Sequence, residues 1–121
     1  MNAIREQSFD FAVKIYHCCK KLQKENKEFI ISNQLLRSGT AVAALYAEAT
    51  YAQSTKDFIH KLSIALKECN ESIYWLKLLK TTGELTPSHL TPLEKQSKRL
   101  KKILISIILT TKNNNRDIHN P

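Results

Sequence analysis

The side chains with the widest chemical reach in this sequence are four histidines, three cysteines and one isolated carboxylate. Histidine is the usual proton carrier and metal ligand near neutral pH. Here His17, His60, His89 and His119 are scattered. No two ligand residues form the HxxxH or ExxH pairs that helical bundles use to hold a metal. Cys18 and Cys19 are adjacent, so on a helix they point to different sides and chelate poorly. With Cys69 they read as reduced core filler. Two glycines, Gly39 and Gly83, cannot build a phosphate-cradling loop. No metal, no cofactor and no enzymatic activity are expected.

Two further chemistries can be weighed. Small helical RNases of the HEPN type place an arginine and, shortly downstream, a histidine on one helix. Arg37 and Arg99 have no such histidine, and His17 lies too far from Arg5. The isolated carboxylate is Glu48, in the alanine-rich stretch "LLRSGTAVAALYAEATYAQ" that begins at Leu35. A buried carboxylate without a partner would cost several kcal/mol or take up a proton. Glu48 is therefore expected to be structural and paired.

What remains is charge. The chain has 121 residues and a net charge of +8, from 19 Lys+Arg against 11 Asp+Glu. Such an excess makes a polyanion the default partner. Residues 86–121 hold seven cations against two acids, whereas 32–85 hold six against five. Lys95, Lys98, Arg99 and Lys102 share one face of a helical reading, with Lys101 adjoining. Lys14, His17, Lys21 and Lys24 form a second stripe. Zinc-finger spacing and an RNP-like aromatic strand are missing, and one Trp, four Tyr and four Phe suggest no stacking platform. RNA or DNA would be held by its phosphates, without sequence readout. A merely solubilising surface is the rival reading.

These stripes need helices to carry them. Phe11, Ile15, Cys18 and Leu22 recur at helical spacing, with Ser8 or Asp10 as a cap. A second helix is expected after Ser32 or Asn33, with Leu35, Leu36, Gly39, Val42, Tyr46 and Ala49 inward. A third is capped by Ser54 and Asp57 and stopped by Gly83. Its stripe is Phe58, Leu62, Ala65, Cys69, Ile73 or Ser72, Leu76 and Leu79. A fourth has two possible starts, Pro87 and Pro92; a short turn from 87 and a regular helix from 92 are expected. Its inward positions are Leu93, Leu100, Leu104, Ile107 and Thr111. The fold class is all-α, an up-down-up-down antiparallel four-helix bundle. One domain spans 1–112, and the polar tail 113–121 is expected to be disordered. The small residues of the second helix would let a neighbour approach closely.

Counting outward from Gln53/Ser54 places Arg37 level with Glu71 and Glu68, and Glu48 level with Lys61, Lys56 and His60. Ion pairs across this hairpin are expected. On the fourth helix, Ile103, Leu104, Ile107 and Ile108 cover an arc of about 140 degrees. Ile105 and Leu109 fall beyond it. A helix apolar on more than half its circumference is buried on more than one side. Ile105 and Leu109 are therefore expected at an interface between copies. The apolar runs are too short to span a membrane, and Met1 is followed by no secretory apolar segment, so a cytoplasmic location is expected.

Arg37-Ser38 opening the small-residue helix, Glu48, Ser54 with Asp57-Phe58-Ile59, and the run Ala65, Glu68, Glu71, Trp75-Leu76 form one ordered pattern. Over about residues 8–112 the chain resembles the bacterial four-helix bundle proteins named for 23S rRNA intervening sequences. The resemblance implies a ring-like homopentamer. It also implies kinship with accessory proteins of diversity-generating retroelements, which bind nucleic acid and a reverse transcriptase. Pro87 and Pro92 depart from the family pattern. The first functional reading is a non-enzymatic, oligomeric nucleic-acid-binding accessory protein. The alternative is an oligomeric scaffold that recruits a protein partner without nucleic acid.

Overall fold

The computed structural model describes residues 2–119, which fold into four helices: α1 (Asn2–Glu25), α2 (Ile30–Ala49), α3 (Thr55–Thr81) and α4 (Pro87–His119). The chain is all-α, with no strand among the described residues. α1 packs on α2 and α4, and α3 packs on the same two; the backbones of diagonal helices stay further apart among the described residues. Cross-helix contacts give the directions. Gln23 bonds Ser32 at 3.1 Å near one end of the α1–α2 pair, and Ile15 abuts Gly39 further along. Lys21 meets His89 at 3.0 Å, and Asp10 meets Gln96 at 2.8 Å, so α1 and α4 are antiparallel too.

Several helix ends differ from the sequence reading. α1 starts at Asn2, well before Ser8 and Asp10, because Ile4 extends the stripe of Phe11, Ile15, Cys19 and Leu22 by a further turn. Ser8 is buried within the helix and donates to the Arg5 carbonyl at 3.2 Å. α2 starts at Ile30. The Glu28 carboxylate accepts from the N–H groups of Ile31 (3.1 Å) and Ser32 (2.7 Å), so an acid ahead of the helix supplies the cap. α3 begins as expected, with Ser54 Oγ accepting from the Asp57 N–H at 3.0 Å. It ends at Thr81, and Gly83, with a φ of 77°, turns the chain just beyond so that the N–H groups of Gly83 and Glu84 reach the Lys80 and Leu79 carbonyls.

α4 is one helix from Pro87, not a turn followed by a helix from Pro92. Leu90 is fully buried and Leu85 nearly so, and this apolar anchor holds the first turn in helical register. Pro92 has no N–H for the Ser88 carbonyl, a loss confined to one bond near the helix start. α4 continues through 113 to His119, with no glycine or proline in that stretch. Asn120 and Pro121 lie outside the described residues.

The core runs the length of the bundle through Phe11, Leu35, Leu62, Leu76, Leu100 and Leu104, all fully buried. Ser72, not Ile73, takes the inward position on α3, and its hydroxyl lies 2.9 Å from that of buried Ser38. Ile108 is buried on α4, whereas Ile107 and Thr111 lie at the edge of the core. Of the small residues in α2, Gly39 makes the close approach. A Cβ there would lie 2.8 Å from Ile15 Cγ2. Ala44 and Ala47 are exposed, so the alanine stretch mainly favours helix and does not line one seam.

Candidate functional site

α1 and α4 approach each other less closely than the other neighbouring pairs, and a groove runs between them. Antiparallel packing sets two matched series face to face. On α1 these are Asp10, Lys14, His17 and Lys21; on α4 they are Arg99, Gln96, Pro92 and His89. Each series advances by three or four residues, which is what keeps a stripe on one side of a helix. The groove has two adjoining hollows that share Lys14 and Pro92. One, of about 440 Å³, is lined by Lys14, His17, Cys18, Lys21, His89 and the apolar trio Leu85, Pro92 and Leu93. The other, of about 410 Å³, is lined by Gln7, Asp10, Lys14, Lys95, Gln96 and Arg99 together with Pro92.

Hydrogen bonds fix both hollows. Lys21 Nζ lies 3.0 Å from His89 Nε2, and Thr86 Oγ1 lies 2.8 Å from His89 Nδ1. An ammonium group only donates, so Nε2 accepts and Nδ1 carries the proton toward Thr86. In the second hollow Asp10 accepts from Lys14 (2.9 Å) and Gln96 (2.8 Å). These two partners hold its carboxyl below the usual range. Glu94 pairs with Lys80 on α3 at 3.2 Å, away from the groove. Asp10 is thus the acid lining the groove, and Lys14, Lys21, Lys95 and Arg99 are its cations.

The cations read from the sequence do not form one face. Lys14, Lys21, Lys95 and Arg99 come together in the α1–α4 groove. Lys98, Lys101 and Lys102 line a separate hollow of about 310 Å³ with Ile73 and Ile105, between α3 and α4. Lys24 is exposed near the end of α1 and lines neither hollow. The reason is angular: at 100 degrees per residue, Lys98 and Arg99 fall on opposite sides of the α4 crest. His89, Pro92 and Gln96 escaped the sequence reading as groove residues. Their three- and four-residue spacing in line with Arg99 was the available signal.

The other site residues can be placed too. Arg37 bonds Glu68 at 2.9 Å and also pairs with Glu71, as the hairpin count required. Glu48 is exposed, and none of the ion pairs among the described residues joins it to Lys61, Lys56 or His60. Counting residues from a turn gives height along a hairpin, but not the direction around the helix. Tyr46 and Ala49 take the inward directions and leave Glu48 outside. Ile105 and Leu109 are 36% and 54% exposed in the single chain. Burial pushes the Cys18 and Cys69 thiols up to about 11 and Cys19 to about 12, so none is poised as a nucleophile. Among the described residues no cluster of His, Cys, Asp or Glu could hold a metal ion. No described helix is long and apolar enough to cross a membrane.

Comparison with known proteins finds a family model and solved structures that match this chain. The family model for the 23S rRNA-intervening sequence protein matches residues 2–106. A crystal structure of a protein of unknown function from the S23 ribosomal protein family of Bacteroides thetaiotaomicron is 48% identical to this chain. That match covers 87% of this chain and 97% of the other, with a TM-score of 0.85. No curated protein matches.

Proposed function

The chain belongs to the 23S rRNA-intervening sequence protein family, and on that premise we propose that it is a non-enzymatic protein that binds RNA or DNA through the α1–α4 groove. The observation that carries this reading is the gathering of Lys14, Lys21, Lys95 and Arg99 along one groove whose lining acid, Asp10, is already paired. Phosphates spaced along a strand meet such a row without base-specific contacts. The net charge of +8 adds a long-range attraction.

The chain is also proposed to work as a homo-oligomer, with the outer face of α4 around Ile105 and Leu109 as the contact between copies. Five copies is the number implied by the resemblance. An oligomer would present the groove several times to one strand, and linked sites bind more tightly than single ones. The test is the salt dependence of binding to mixed RNA and DNA. Affinity should fall steeply as salt rises. A chain that binds neither polymer at low salt would leave the scaffold reading in its place.

A further inference from the structure

We propose that the larger hollow of the α1–α4 groove receives an unpaired nucleobase, so that the protein prefers single-stranded nucleic acid to duplex. This rests on the nucleic-acid reading above and goes further, because phosphate contact alone explains only half of the lining. The hollow of about 440 Å³ combines Lys14 and Lys21 with Leu85, Pro92, Leu93 and Cys18. Leu85 is 8% exposed and Leu93 4%, so they belong to its floor and not to its rim. A duplex turns its phosphates outward and keeps its bases stacked inside; it offers nothing to an apolar floor. A splayed single strand offers both an anion and a flat apolar ring. The volume lies within the range of small-ligand pockets and suits one nucleotide.

His89 supports the same occupant. Both of its ring nitrogens are already engaged, by Lys21 and Thr86. What the imidazole has left to offer a ligand is its face, which is the part that stacks on a base. His17 is a second imidazole on the same hollow, with its ring set edge-on to Tyr16 at 5.4 Å between centroids. The neighbouring hollow of about 410 Å³ is different: Lys95, Arg99, Gln96 and the paired Asp10 make it polar, suited to backbone. The groove thus sets a base site beside a phosphate track.

The test uses the full chain and three labelled DNA probes of equal length: a mixed-sequence single strand, its duplex, and the same strand with every base removed. At fixed salt the intact strand should bind at least about tenfold more tightly than the abasic strand, since one stacked base is worth that much. The duplex should be weaker than the intact strand. His89→Ala should bring the intact-to-abasic ratio toward one. Equal affinity for intact and abasic strands overturns the inference and leaves phosphate binding standing. Failure to bind any of the three overturns the nucleic-acid reading itself. The wild-type comparison decides the matter even if the variant misfolds.

Discussion

Arg37 Nη1 donates to Glu68 Oε2 at 2.9 Å across the α2–α3 hairpin. The second guanidinium nitrogen pairs with Glu71, which also accepts from Trp75 Nε1 at 3.0 Å. The cluster ties two helices and one aromatic ring together. It is not a buried pair: the Arg37 side chain is 51% exposed, against 14% for Glu68. Solvent screening therefore limits its worth. Arg37→Ala should lower unfolding stability by about 1 kcal/mol in urea titration. A double-mutant cycle with Glu68→Ala should show positive coupling. Strict additivity would mean that the contact contributes nothing.

Gly39 faces Ile15 with no room for a methyl group, since a Cβ would sit 2.8 Å from Ile15 Cγ2 and 3.0 Å from Cγ1. Alanine improves helix propensity by about 1 kcal/mol, but overpacking costs about 1–3 kcal/mol. Gly39→Ala should therefore destabilise by about 1 kcal/mol. Ile15→Ala removes both γ carbons, so it should cost less in the Gly39→Ala background than in the wild type. Thermal melts of the four proteins measure this difference. An unchanged or raised melting temperature for Gly39→Ala alone would show that α1 moves aside freely.

The thiols give a pH dependence of definite sign. Burial raises Cys18 and Cys69 from an ordinary 9.0 to about 11, and Cys19 to about 12. Above pH 9 the unfolded chain releases these protons and the folded chain keeps them. The folded state then binds more protons, so stability falls as pH rises. This contribution is complete below about pH 9 and is lost as pH climbs through the folded values near 11 and 12. Urea midpoints should drop between pH 9 and 11, and Cys69→Ala should make the drop shallower. An equally steep fall in that variant would assign the loss to other groups.

How much of this was legible in the sequence depends on whether a feature is local. Ser54 with Asp57, and Gly83, are local signals, and α3 begins and ends where they place it. Arg37 against Glu68 and Glu71 was legible because a hairpin fixes height. Glu48 was not, because height leaves direction open. The start of α4 was hidden for a related reason. Pro92 looks like a first-turn residue locally, whereas burial of Leu90 against the rest of the bundle decides the start. The division of the cations between two grooves needed the azimuth of α4, set by Leu93, Leu100 and Leu104 facing the core.

The outer face of α4 supports a test of assembly. Ile105 is 36% exposed and Leu109 54%, one turn apart on the same side. Covering them in a second copy would remove apolar area from water at about 25 cal/mol per Å². Ile105→Lys with Leu109→Lys should give smaller species by light scattering while helical circular dichroism persists. A wild-type chain that is already monomeric at micromolar concentration would remove the basis for this contact.

The two cation groups on α4 can be separated by charge removal. Lys14, Lys95 and Arg99 lie in the α1–α4 groove; Lys98, Lys101 and Lys102 lie toward α3. The two triple variants to glutamine remove equal charge, so long-range attraction falls equally in both. Only direct phosphate neighbours release counterions, each contributing about one unit to the slope of log affinity against log salt. The groove variant should lose about two to three units of that slope, while the α3-side variant should keep the wild-type value within about half a unit. Lys14 is the weakest member of its set, because Asp10 at 2.9 Å already offsets its charge. Lys14→Gln alone should therefore change the slope less than Arg99→Gln alone. If the α3-side triple variant flattens the salt dependence instead, the strand lies over Ile73 and Ile105, and the α1–α4 groove is not its path.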